Sequence, residues 1–221
     1  MLTLAEEYFL LSIDDDKGKV IAAVSDGLNL GLAGALLADL ALHGKIGLSD
    51  KRLSVLDAAP TGEALLDEAL ASMAAEKRQR KAGYWIERFG NKKLARKVAE
   101  RLAEKNVLRI EKKRYLWVIP FEVYPQVDAS AKYWVKQHLR NAVLAGGEAT
   151  PGIIGLLSLL KACRLLDLVF TRDEAKAANR KVSELVNGEA FGKAVAEVIA
   201  EIEAAAAAAV VVVVVAGASS S

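Results

Sequence analysis

The residues that could do covalent or metal chemistry are few, and their spacing narrows them further. The two histidines, His43 and His138, are far apart, and neither belongs to a His-Glu-x-x-His metal motif. His43 ends a helical pattern, where an imidazole can serve the last carbonyls, and His138 falls on a helix face, so both read as structural. The single cysteine, Cys163, sits among Leu159, Leu160 and Leu165, a setting for a buried thiol rather than a thiolate nucleophile. One cysteine also excludes a disulfide framework and a thiolate metal cluster, and fits a reducing compartment. Asp14-Asp15-Asp16 offers hard oxygen ligands but lacks the remaining positions of a calcium loop, so it reads as a turn. Gly27, Gly31 and Gly34 lack the spacing of a dinucleotide fingerprint and lie inside a helical pattern. No catalytic residue, metal site or cofactor is expected, and the chain reads as non-enzymatic.

Charge offers more. The 221-residue chain carries 30 Lys+Arg and 28 Asp+Glu, a formal net charge of +2. That balance hides a segregation: Glu76 to Arg114 holds 15 basic and 5 acidic residues, a net of +10, against −8 elsewhere. A basic segment on an acidic body concentrates positive potential and draws phosphate-bearing partners, unless it is simply a solvated helical face. Apolar residues, at 53%, are ample for a folded core. No basic region precedes an apolar stretch at the start, so a secretory signal is not expected.

The elements that position these charges are mostly helical. Thr3-Leu4-Ala5-Glu6 fits a capping box opening a helix, and Asp14 to Gly18 a tight turn. Val20 to Val24 reads as a short strand, and Leu28 to His43 as an apolar helix ended by Gly44. Leu53 to Leu56 alternates weakly as a strand, and Pro60-Thr61-Gly62 opens a helix. After a basic loop at Lys77 to Lys81, Tyr84-Trp85-Ile86 starts a short helix and Asn91 to Lys105 a longer one. Its apolar face is Leu94, Val98 and Leu102. Val107 to Ile110 and Tyr115 to Ile119 then read as a hairpin around the turn Glu111-Lys112-Lys113-Arg114. Helices follow at Ala131 to Leu144, Pro151 to Cys163, Arg172 to Val186 and Ala190 to about Ala209. The expected fold is mainly α, a single globular helical domain over residues 1–203 with a small β-hairpin, forming a winged-helix-like element with the helix before it. Residues 204–221, an Ala, Val and Ser tract with conflicting local preferences, are expected to fray into a tail.

A basic helix followed by a hairpin could present Lys92, Lys93, Arg96 and Lys97 to nucleic-acid phosphates, with Lys112, Lys113 and Arg114 on the wing. The same parts suit an anionic lipid headgroup, with Tyr115, Leu116 and Trp117 at the bilayer interface. Alternatively Leu116 and Trp117 are core or oligomer contacts of an adaptor that self-associates through the hairpin. Periodicity and charge leave these readings open.

Four ordered stretches carry a resemblance. Leu2 to Leu11 and Gly31 to Ile46 look like the opening of the Golgi phosphoprotein 3 family. Pro60-Thr61-Gly62-Glu63-Ala64-Leu65-Leu66-Asp67-Glu68-Ala69-Leu70 resembles its most distinctive stretch, and Val98 to Leu108 with the hairpin continues the match. The resemblance implies a helical domain that binds phosphatidylinositol 4-phosphate on cytosolic membrane faces; in eukaryotes such proteins are Golgi-associated and link glycosyltransferase tails to vesicle coats. It implies a headgroup pocket lined by a Trp, an Arg and two basic residues of the helix before the hairpin. Here those positions are Val24, Ala33, Lys92 and Ala95, so Lys92 alone keeps its charge. Neutral residues supply no charge-assisted hydrogen bond, and headgroup selectivity is expected to be weakened. Arg96, one turn on from Lys92, offers a substitute contact, and Lys93 and Lys97 add unspecific attraction. The high Ala content and the start at the family motif suggest a prokaryotic-type member. The resulting expectation is a cytoplasmic, peripheral membrane protein binding anionic phospholipid through Lys92, Lys93, Arg96 and Lys97. Its hairpin, Arg114, Tyr115, Leu116 and Trp117, is expected to insert or to form a homo-oligomer; nucleic-acid binding is the alternative.

Overall fold

A fifteen-residue helix, α3 (Leu28–Leu42), is apolar on every side and therefore has to be enclosed. In this computed structural model it is buried without interruption from Gly31 to Ala41. The structure describes residues 1–91, 93–115, 118–186 and 193–218, apart from the side chains at 115, 119, 186, 193, 194 and 213–218. Before α3 come α1 (Leu4–Leu11) and the short α2 (Ala22–Ser25); after it come the strands β1 (Ile46–Ser49) and β2 (Arg52–Val55). Next are α4 (Ala64–Ala74), α5 (Ala82–Phe89), α6 (Leu94–Glu104), β3 (Glu111–Tyr115) and β4 (Ile119–Val123). The chain closes with α7 (Ala129–Leu144), α8 (Pro151–Ala162), α9 (Arg172–Val186) and α10 (Lys193–Ala218). Helices α1, α4, α5, α6, α8 and α10 all pack on α3.

Close approach to α3 depends on its small residues. A Cβ at Gly31 would lie 2.2 Å from the Tyr8 hydroxyl, so only glycine admits α1 at this distance. The start of α1 is then fixed by polar contacts. Thr3 and Glu6 form the capping box, and Asp39 of α3 accepts from the Leu4 amide at 2.8 Å. Lys105, just after α6, reaches the buried Glu6 carboxylate at 2.8 Å. Burial pushes Asp39 up to about 7 despite the Leu4 hydrogen bond, and burial with the charges of Asp39 and Glu6 pushes Glu7 up to about 7.

Both hairpins are antiparallel two-stranded ribbons: β1 pairs with β2, and β3 with β4. The second carries the expected element in a different register. Pairing runs from Leu108↔Gln126 through Lys112↔Glu122 to Tyr115↔Ile119. Lys112, Lys113 and Arg114 are therefore strand residues rather than the turn. Polarity misleads here because the ribbon leaves the core, so charged residues are as acceptable in its strand as in a turn. Val107 and Leu108, read as strand, are core residues at the foot of the ribbon. Leu116 and Trp117 lie outside the described residues.

The foot is mounted on the loop after α1. Gly18, with φ +61°, accepts at its carbonyl from the Tyr124 amide at 2.6 Å, and a Cβ there would lie 2.8 Å from the Pro125 nitrogen. Asp15 in the same loop pairs with Lys132 of α7 at 2.6 Å and accepts from Gln126 at 2.9 Å.

Other local readings are also corrected. Val20 to Val24 is not a strand: Val20 forms an isolated bridge with Ile13, and Ala22–Ser25 is α2. The helix expected from Pro60 begins at Ala64, because Asp67 gathers the Thr61 amide and hydroxyl into a preceding loop. The last helix does not fray near Ala209 but continues to Ala218, with Ala206 fully buried. Along it, Ile202 and Ala206 lie at Gly34 of α3, and Val210 lies at Gly27 just before α3.

Glu7 and Asp39 set a pH dependence. A carboxyl whose folded pKa is raised favours the folded state below its unfolded value, near 4, and loses that contribution as pH rises through about 7. Urea unfolding should therefore show lower stability at pH 8 than at pH 5, and Glu7→Gln should remove much of the difference.

Candidate functional site

Helix α6 turns Leu94, Val98, Ala99 and Leu102 to the core, which forces its cations onto two flanks. On one flank Lys97 pairs with Glu68 of α4 at 2.5 Å, and Arg101 with Glu63, which precedes α4, at 3.2 Å. On the other, Arg96 pairs with Glu122 of β4 and with Glu100 at 2.9 Å. Part of the remaining basic segment is similarly engaged. Arg80, Tyr84 and Arg88 converge on Glu76 and hold its carboxyl below the usual range against the opposing effect of desolvation. Lys105 contacts Glu6 and Glu63, and Arg109 and Lys113 contact Glu111. Among the described residues, no carboxylate lies within ion-pair distance of Lys77, Arg78, Lys81, Lys93, Lys112 or Arg114.

Lys93 and Lys97 share a cleft of about 230 Å³ with Arg88, Asn91 and Glu68, floored by Leu36, Leu65 and Leu94. Arg96 faces away from it, toward the hairpin. Lys92 lies outside the described residues. A second cleft, about 640 Å³, lies between the ribbon and the loop after α1, lined by Lys19, Lys112, Pro120, Phe121, Glu122 and Tyr124. Lys19 sits 4.6 Å from the Phe121 ring centroid, a cation–π geometry. Sequence reading missed Lys19 because the misplaced turn kept β4 from lying beside it. On the ribbon itself Lys112, Lys113 and Arg114 are exposed, and Val118 at the far end is 78% exposed.

His138 is exposed and stacks on Trp134, whereas the other side chains set aside as structural have structural surroundings. His43 Nδ1 lies 2.8 Å from the Asp39 carbonyl, Asp14 closes its own turn onto the Lys17 amide, and Asp15 is engaged by Lys132. Desolvation acts against ionisation of Asp15, but hydrogen bonds and charge from Lys132 hold it below its ordinary value. Cys163 is buried and its thiol is pushed up to about 11 by burial. Among the described residues, no group of three or more His, Cys, Asp or Glu side chains could hold a metal ion.

The start of α6 meets the start of α3: the Ala95 amide donates to Asn29 Oδ1 at 3.0 Å. The start of α3 and the first turn of α6 are thus neighbours. The Golgi phosphoprotein 3 (GPP34) family profile matches residues 4–202. The chain belongs to this family. Similar curated proteins are vacuolar protein sorting-associated protein 74 of Eremothecium gossypii and of Schizosaccharomyces pombe. The first is 28% identical over 83% of this chain and 62% of its own length; the second is 31% identical over 62% and 47%. The chain therefore spans less than two thirds of these relatives. Val24 and Ala33 are 2% and 0% exposed, so both belong to the core.

Iodoacetamide at pH 8 should leave Cys163 unmodified in the native protein and alkylate it after denaturation in urea. Rapid native labelling would show a reactive thiol.

Proposed function

We propose that this Golgi phosphoprotein 3 family member is a non-enzymatic, peripheral membrane protein that binds anionic phospholipid through the start of α6 and the β3–β4 ribbon. The observation that carries this reading is the ribbon: an exposed basic strand, Lys112 to Arg114, leading to an exposed apolar residue, Val118. Basic groups behind an apolar tip suit the boundary between headgroups and acyl chains, where each Lys or Arg contributes about 1 kcal/mol near an anionic surface. Lys93 adds a cation with no carboxylate partner among the described residues, beside the cleft it shares with Lys97. Arg96 and Lys97 join only when phosphate displaces Glu122 and Glu68. Lys92 is included by sequence. Among the described residues no helix is long and apolar enough to cross a membrane, so contact from one side is the arrangement proposed. The buried Val24 and Ala33 and the neutral Ala95 supply no charge to a phosphoinositide, so the reading favours anionic lipid in general over phosphatidylinositol 4-phosphate in particular.

Flotation with neutral vesicles, phosphatidylserine-containing vesicles and phosphatidylinositol 4-phosphate-containing vesicles tests this. Both anionic sets should carry the protein upward and neutral vesicles should not. Replacing Lys112, Lys113 and Arg114 together by Gln should weaken partition on the order of a hundredfold, at about 1 kcal/mol per cation. Failure to float with any vesicle overturns the proposal.

A further inference from the structure

A cleft of about 620 Å³ opens where α1, α3, α7 and the start of α8 meet, and no lysine or arginine side chain lines it. Its volume falls in the range of about 300–1,000 Å³ typical of small-molecule sites. Leu2, Leu4, Leu42, Pro151 and Ile153 give it apolar walls, and Glu7, Asp39 and Glu148 give it carboxylates. Among the described residues none of these three has an ion-pair partner. Asp39 is 5% exposed whereas Glu148 is fully on the surface, so the acids run from the inner wall to the mouth. Two imidazoles complete the polar lining. The Nδ1 of His43 lies 2.8 Å from the Asp39 carbonyl, which can only accept, so Nδ1 carries the proton and the neutral ring has Nε2 left as an acceptor. His138 stacks on the exposed Trp134 at the rim, with ring centroids 6.1 Å apart.

Acceptors without matching donors select the chemistry of an occupant. An anion would meet three like charges. A metal ion is no better, because among the described residues no group of three or more His, Cys, Asp or Glu side chains could hold one. The carboxylates are instead spread along an apolar wall, which suits an elongated cation whose charges are separated by methylenes. The inner pair also lacks a counter-ion. Burial first, then the charges of Asp39 and Glu6, pushes Glu7 up to about 7, and burial does the same to Asp39 against the Leu4 and Ala5 amides and His43. Of the other titratable groups around them, Glu6 is engaged by Lys105, and Glu148 and His138 face the cleft from the loop before α8 and from α7. An ammonium group placed here would favour the charged form of both inner carboxyls and release the protons they carry.

We propose that this cleft binds an aliphatic diamine, one ammonium group pairing with Glu7 and Asp39 and the other with Glu148 near the mouth. Leu4, Leu42 and Ile153 cover the methylenes between them. None of the lining residues belongs to the ribbon or to the start of α6, so the site stands whether or not the protein binds lipid.

Isothermal titration calorimetry of the full chain at pH 8 tests this, with 1,4-diaminobutane and 1,6-diaminohexane as probes and 1-aminobutane, 1,4-butanediol and magnesium chloride as controls at matched ionic strength. At least one diamine should bind, the monoamine should bind at least about threefold more weakly, and the diol and magnesium should give no binding. Glu7→Gln should weaken the diamine about tenfold and Glu148→Gln about threefold, as expected for a partly buried and an exposed charge pair. Glu87→Gln, outside the cleft, should bind as wild type. From pH 8 to pH 6 affinity should fall about tenfold, because Glu7 and Asp39 take up protons that the ligand must then displace. Unchanged circular dichroism and melting temperature at pH 6 exclude misfolding of Glu7→Gln, and the surface position of Glu148 keeps its replacement informative in any case. Absence of diamine binding, wild-type affinity in both Glu7→Gln and Glu148→Gln, or equal binding of the monoamine or of magnesium overturns the site.

Discussion

The fit of Tyr8 over Gly31 governs how closely α1 can lie on α3, and most of the remaining structure follows from that separation. With no side chain at position 31, α1 lies close enough for Asp39 to receive the Leu4 amide and for Lys105 to reach Glu6. These contacts bring the end of α6 onto the start of α1. Because α6 is then held along one face, its cations must project to the two sides. The polar layout of the surface is therefore a consequence of apolar packing, and the ion pairs adapt to it.

That origin explains why the basic segment is less exposed electrostatically than its composition implies. Part of its positive excess is met by Glu6, Glu63, Glu68 and Glu122, so among the described residues the potential that survives is carried by Lys77, Arg78, Lys81, Lys93, Lys112 and Arg114. Exposed ion pairs contribute little stability, typically less than 1 kcal/mol each, so they can exchange partners with phosphate at modest cost. Arg96 and Lys97 are in this position, with side chains about two-fifths exposed.

The sequence was legible where a local rule decides the outcome. Thr3 with Glu6, Thr150 before Pro151, and the left-handed Gly44 and Asn106 all end or start helices where short-range chemistry says they should. It was less legible where distant residues decide. The ribbon's register is set by the pairing of Leu108 with Gln126 at its foot, and α10 is seated where Gly34 receives Ala206 and Gly27 receives Val210. For the site, the concentration of Lys and Arg was visible, but beyond the local Glu100 and Glu104, partners of Arg96, Lys97, Arg101 and Lys105 lie 26 to 99 residues away in sequence. That Val24 and Ala33 carry no charge could be read directly; their enclosure in the core required the fold.

The mounting of the ribbon on Gly18 has a mechanical corollary. Five residues of β4 extend for roughly 16 Å, so the ribbon works as a lever whose fulcrum is the contact of Gly18 with Tyr124 and Pro125. Tilting that fulcrum by a few degrees would sweep the far end through about an ångström while leaving the helical body undisturbed. The angle between the ribbon and the helical body is thus governed by a three-carboxylate loop at the ribbon's foot.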